Sequence, residues 1–304
     1  MRPDTGVLEA LTRLLLLPLG KTLSERPGER RSGAKGPGLE FAGHRPYRRG
    51  DDLRHLDHRL YARFRTPYIR EYLADRQLRV VILLDTSASM QFGHPDKAEA
   101  ATMLAELLTY SALSSGDLVE IGMPFEQSID WSDAVQGPSR TETLFRWIER
   151  ERPADRLSLP QALRLAVPRF RNANLIVIVS DFWLDSPGEA LRPLAGTAAA
   201  LIGLGMVAPE EEEPLLLGHG PVRLREAGSG ADMDLALDRA SAAEYAGLLS
   251  AHRTGLVGAF EKLGGDYLQM RSDLSAREML ARLMAAGLVG TYGAMPAQGP
   301  GVPL

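Results

Sequence analysis

From residue 79 onward, unbroken apolar runs alternate with amphipathic stretches. The runs "RVVILLD" (79–85), "DLVEIGMPF" (117–125), "NLIVIVSDF" (174–182) and "AAALIGLGMVA" (198–208) show no apolar/polar alternation, so each predicts a strand buried on both faces. "QSIDW" (127–131) predicts a hairpin partner for the second run, and "DYLQM" (266–270) a last short strand. Helices are expected over about 95–114, with Ala98, Ala101, Met103, Leu104, Leu107 and Leu108 as apolar positions, and near 141–150, 159–168, 188–195, 240–264 and 275–287. Strands separated by helices need crossover connections. The expected fold class is therefore α/β: a doubly wound, mostly parallel sheet with helices on both faces.

The flanks differ. Residues 1–38 predict a helix over 7–17 and then a loop rich in Gly, Pro and charge over 26–38. Residues 39–78 form a segment with two strand-like stretches, "GLEFAG" and "TPYIREYLA"; from His44 to Arg79 it carries ten arginines against five acids. Forty residues without cysteine or metal can hardly bury a core alone, so this segment is expected to pack on the main domain, 79–290. "EEEEPLLLGHGPVRLREAGSG" interrupts the alternation and predicts an acidic solvated loop, Glu210 to Glu213, and a small hairpin. The tail 291–304 is expected to be disordered.

Composition removes several chemistries. The chain of 304 residues has no cysteine, which excludes disulfides, thiolate metal sites and a cysteine nucleophile. A formal net charge of -4 argues against a nucleic-acid binder. Leu14 to Leu17 is too short to span a membrane, and no small-residue cleavage site follows it; a cytoplasmic location is the expectation. "LGKT" (19–22) lacks the first glycine of a P-loop, and no G-x-S-x-G elbow is present.

The candidate chemistry lies at two strand ends. Asp85 follows the first buried strand in "DTSASM", with Ser87 and Ser89 two and four residues on; Asp181 follows another in "VIVSD". In a parallel sheet both ends share one edge, so the two carboxylates can converge at a solvent-facing rim. Two carboxylates, two hydroxyls and water make an octahedral oxygen site for Mg²⁺ with a position open to an outside ligand. The bland alternative is helix capping by the same residue types.

"DTSASM" resembles the D-x-S-x-S metal-ion-dependent adhesion motif of von Willebrand factor A domains, with Asp181 as the late strand-end aspartate. The preceding "HRPYRRGDDLRHLDHRLYARFRTPYIREYLADRQLRVVILLDTSASM" resembles the bacterial family known as domain of unknown function 58, through Arg45, Tyr47, Gly50, Asp51, Asp52, Arg54 and Asp57; His58 stands where that family has tryptophan. The resemblance covers residues 39 to 290. It implies a bound Mg²⁺ or Mn²⁺ held by Asp85, Ser87, Ser89 and Asp181, and a protein-binding rather than catalytic role. It further implies an adaptor or chaperone-like function beside a MoxR-type AAA+ ATPase and a client protein. One position departs from the pattern: Leu157 falls where a threonine ligand is expected, leaving Ser158 as the substitute. Arg45, Arg48, Arg49 and Arg54 are the candidate partner-binding residues, against the ordinary reading of an arginine-rich stretch as a solvated surface. The competing function is a Mg²⁺-dependent phosphoryl-transfer or hydrolytic enzyme centred on Asp85 and Asp181; Ser87, where such an enzyme needs a second acid, counts against it.

Overall fold

A computed structural model describes residues 2–12, 14–16, 40–47, 56–57, 60–61, 67–73, 77–150, 157–226 and 230–291. The chain divides into two compact units, Met1–Lys21 with Leu78–Leu304, and Thr22–Gln77.

In the larger unit the chain runs α1 (Thr5–Leu11), β1 (Leu14–Leu16), then, beyond the smaller unit's β2 (Glu40–Pro46) and β3 (Tyr68–Leu73), β4 (Arg79–Leu84), α2 (Lys97–Ser114), β5 (Leu118–Phe125), β6 (Ser128–Trp131), β7 (Val135–Gln136), α3 (Thr141–Ile148), α4 (Leu159–Phe170), β8 (Leu175–Ser180), α5 (Pro187–Ala190), β9 (Ala200–Val207), α6 (Pro209–Glu212), β10 (Gly220–Arg225), β11 (Asp232–Leu237), α7 (Arg239–Lys262), β12 (Asp266–Arg271), α8 (Ala276–Ala285) and β13 (Val289–Thr291). The main sheet has the order β12-β9-β8-β4-β5-β6, with β7 also on β5. β12, β9, β8, β4 and β5 are mutually parallel, while β6 and β7 return antiparallel. The expected mostly parallel sheet with helices on both faces is what the chain forms.

Strand alternation decides what each face buries. Val81, Leu83, Ile176, Ile178 and Leu201 point to the face covered by α4, α5 and α7, where they meet Leu163, Phe170, Leu256 and Phe260. The opposite face is covered by α2, and α1, α3 and α8 close over α2 in turn. That second layer explains why α2 is buried nearly all round. In β9 the glycines of "LIGLGM" are required by packing: a Cβ on Gly203 would lie 2.2 Å from Phe260 Cζ, and one on Gly205 2.0 Å from Tyr267 Oη.

Several expected boundaries move. The N-terminal helix ends at Leu11, not residue 17; Leu14–Leu16 is a strand paired antiparallel with Val289–Thr291, which also moves ordered structure into the start of the expected tail. Three leucines carry no period that separates strand from helix, and their partner lies at the far end of the chain. The acidic stretch begins as the short helix α6, and the hairpin behind it is β10–β11. Tail residues 292–304 lie outside the described residues.

The smaller unit contains the two expected strands, β2 and β3, paired antiparallel with an irregularity between Phe41 and Gly43. Asp57 is buried there, accepting from Leu60 N at 3.0 Å, while its own N–H reaches Tyr68 O at 2.8 Å.

Candidate metal centre

The site forms where the sheet changes direction. β4 and β8 are neighbours, but β4 leads by α2 to β5 on one side, and β8 leads to β9 on the other. Ligands bind open α/β sheets at the carboxyl ends of such a strand pair. Asp85 and Asp181 are the first residues past those two ends.

Asp85 continues the ladder, its N–H donating to Val179 O at 2.9 Å. Its side chain is only 3% exposed, so the expected solvent-facing carboxylate is in fact buried. Oδ1 accepts from Ser87 N at 2.8 Å, and Oδ2 accepts from the Ser180 hydroxyl at 2.6 Å. Neither bond is a cap on α2, whose cap is Asp96, accepting from Glu99 N at 2.7 Å. Ser87 and Ser89 stand side by side with hydroxyls 3.1 Å apart, on a 3-10 turn anchored by the buried Met90. The intervening Thr86 turns away and donates to Pro124 O at 2.8 Å. Burial, and then the charge of Asp181, push the Asp85 carboxyl above the ordinary aspartate range, against the stabilising hydrogen bonds from Ser180 and Ser87.

Asp181 Oδ1 accepts from Trp183 N at 3.3 Å, and Oδ2 accepts from Lys97 Nζ at 2.9 Å. Lys97 also donates to Glu211 Oε1 at 2.5 Å. The next residue, Phe182, is fully buried at a φ of 53, in the left-handed region that a bulky side chain rarely adopts. Edge-on contacts with Phe260 and Tyr267 (5.5 and 5.6 Å between ring centres) and the bond from Phe182 N to Ser180 Oγ at 3.0 Å hold it there.

Leu157 and Ser158 do different work from what the pattern suggested. Leu157 is buried in the core cluster that contains Phe182 and Leu159. Ser158 caps α4, its hydroxyl donating to Gln161 Oε1 at 2.9 Å, and is exposed. The four other candidates fit a hard divalent cation: oxygen donors at one strand-end edge, the two carboxylates buried and the two serines half-buried, with a repulsion between the carboxylates that a cation would relieve. Arg45 lies in β2, its side chain outside the described residues, as are Arg48, Arg49 and Arg54.

Sequence reasoning missed Lys97, Ser180 and Glu211. Lys97 did carry a signal: a lysine in the first turn of a helix sits at the positive end of its dipole and needs a reason to be there. Glu211 carried none, being one of four consecutive glutamates. It is buried, with Oε2 accepting from Ala208 N at 2.7 Å, which corrects the expectation that the whole run is a solvated loop.

Beside Asp85 opens a recess of about 120 Å³, lined by Asp85, Thr86, Ser87, Met90, Thr102 and Arg150 among others. It would admit a side chain or a few waters, and falls short of the roughly 300–1,000 Å³ of ordinary small-molecule sites.

A family model described as "Protein of unknown function DUF58" matches residues 43–255. Uncharacterized proteins of Mycobacterium bovis and Mycobacterium tuberculosis are 28% identical over 258 residues, 83% of this chain and 80% of theirs. Among solved structures, an aerotolerance-related membrane protein from Bacteroides fragilis aligns over 68% of this chain and 97% of its own, at 19% identity and a TM-score of 0.38. The pilus adhesin SpaC from Lactobacillus rhamnosus GG aligns over 68% of this chain and 27% of its own, at 12% identity and a TM-score of 0.30.

Proposed function

The chain belongs to the DUF58 family, and from that membership and the Asp85 site we propose that it is a protein-binding adaptor whose larger unit works as a von Willebrand factor A-like, metal-dependent recognition module. The observation that carries the reading is the placing of Asp85, Ser87, Ser89 and Asp181 at the β4/β8 direction change. These four residues would hold Mg²⁺ or Mn²⁺, and the cation, when bound, supplies a Lewis-acidic position for an outside oxygen ligand. The chain's own part is to bury the carboxylates, fix Asp85 through Ser180 and Ser87 N, and keep Thr86 out of the way.

The partner reading follows the family resemblance: a MoxR-type AAA+ ATPase, with the chain acting beside it on a client protein in the cytoplasm. Among the described residues no helix is long and apolar enough to cross a membrane. Ser87, where an aspartyl phosphotransferase needs a second acid, supports a non-enzymatic role.

Calorimetry with Mg²⁺ tests the centre. Wild type should bind, and Asp85→Ala should lose binding while retaining its circular dichroism spectrum. Absence of binding to wild type at millimolar Mg²⁺ would transfer recognition to a metal-free surface. Turnover of phosphate esters by the isolated protein with Mg²⁺ would overturn the adaptor reading.

A further inference from the structure

We propose that Lys97, held in place by Glu211, is an internal counter-charge that sets how tightly the Asp85 site holds a divalent cation; this rests on the cation site proposed above and adds its affinity-determining residue.

Lys97 is the first residue of α2 and is fully buried. Both its place at the positive end of the helix and its burial cost stability, so the ammonium must be held by strong compensating bonds. Those bonds go to two carboxylates, Asp181 Oδ2 at 2.9 Å and Glu211 Oε1 at 2.5 Å. Glu211 is itself pinned: Oε1 also accepts from Trp183 Nε1 at 3.0 Å, and Oε2 from Ala208 N at 2.7 Å. Lys97 therefore has a fixed position against Asp181, with little freedom to withdraw when a cation arrives.

Two consequences follow from charge and geometry. One of the two Asp181 oxygens is already committed to an ammonium, which makes it a poorer donor to a metal. The ammonium also repels an incoming cation across a buried, weakly screened path. With Asp85, Asp181 and Glu211 ionised, Lys97 reduces the cluster's formal charge from three negative to two. The bare site is thereby weakened, and an anionic oxygen brought by a partner gains in importance. By linkage, cation and partner then strengthen each other's binding. Glu211 fixes the ammonium in place, but its own negative charge close by offsets part of the ammonium's repulsion of a cation.

The test is Mg²⁺ calorimetry on the full chain without partner, with folding followed by circular dichroism. Lys97→Met keeps the apolar stem and removes the charge; it should bind Mg²⁺ about tenfold or more tighter than wild type. Glu211→Gln keeps an acceptor for Lys97 but removes the offsetting negative charge, and should bind about threefold or more weaker. Lys97→Arg should stay within about threefold of wild type. If wild type binds and Lys97→Met binds no tighter, the Lys97 proposal fails while the cation site stands. If folded wild type and folded Lys97→Met both fail to take up Mg²⁺, the cation site fails and this proposal with it. Should Lys97→Met not fold, Glu211→Gln decides, and an unchanged or higher affinity overturns the proposal.

Discussion

Glu106, in the middle of α2, is 1% exposed, and neither of its carboxylate oxygens has a hydrogen-bond partner among the described residues. Burial first, then repulsion from Glu149, push its carboxyl up to about 7, with the N-terminal amine and Arg2 pulling the other way and Glu142 adding a smaller repulsion. Below about pH 4.5 folded and unfolded chains both hold the proton, and the site has no effect on stability. Between there and about 7 the unfolded chain gives it up while the folded chain keeps it, so stability falls as pH rises and levels off above 7. Glu106→Gln cannot ionise and escapes this loss. It should match wild type more closely at pH 4.5 and exceed it by roughly 2–3 kcal/mol at pH 8, as read from urea unfolding at the two pH values. Equal stabilities at pH 8 would mean that Glu106 is solvated or paired when charged. At this scale the candidate site was half legible. Asp85, Ser87, Ser89 and Asp181 could be read because strand ends are marked by where apolar runs stop. Leu157 and Ser158 show the limit: a one-residue offset decides whether a loop position faces the strand-end rim or the core, and here Leu157 fills the core while Ser158 caps α4. Glu211 was illegible because burial selects one glutamate from four identical neighbours.

At the scale of elements, the buried strands were the most legible part of the chain, because a parallel strand covered by helices on both faces must be apolar at every position. β4, β8 and β9 fall inside the expected runs. β1 was misread because its identity depends on β13, more than 270 residues away in sequence (Leu14 pairs with Thr291). The glycines of β9 bear on how α7 and β12 approach the sheet. Phe260 is fully buried and lies over Gly203, so a methyl group there has no flexible neighbour to displace. Gly205 faces the far end of Tyr267, which is only partly buried and can shift. Gly203→Ala should therefore destabilise by about 2–3 kcal/mol and Gly205→Ala by less, typically about 1 kcal/mol. Chemical denaturation checks the order, and adding Phe260→Leu to Gly203→Ala should cost less than the two single changes summed, because the two residues share one contact. A larger loss for Gly205→Ala than for Gly203→Ala would contradict the packing described.

For the whole molecule, the proposed adaptor role raises the question of which surface would capture a partner. The chain carries a formal net charge of -4, yet ten arginines fall between His44 and Arg79, so two mechanisms with different signatures are available. In the first, a carboxylate of the partner completes the coordination of a cation held by Asp85, Ser87, Ser89 and Asp181. Without the cation that carboxylate would meet two like charges, Asp85 and Asp181, and be repelled. Binding should then disappear with EDTA, return with added Mg²⁺, and weaken only modestly with salt, because the contact is short and largely buried. In the second, Arg45, Arg48, Arg49 and Arg54 attract an acidic partner surface; that attraction is screened as the Debye length falls from about 10 Å at 0.1 M salt to about 3 Å at 1 M, and it is indifferent to EDTA. Capture of a MoxR-type ATPase on the immobilised full chain separates the two. The expected outcome is loss in EDTA, with most binding surviving 0.5 M salt, and a matching loss for Asp85→Ala in Mg²⁺. Capture that survives EDTA and fails in salt would sink the metal-bridge mechanism and assign recognition to the four arginines, whose replacement by glutamine should then abolish binding while Asp85→Ala leaves it intact.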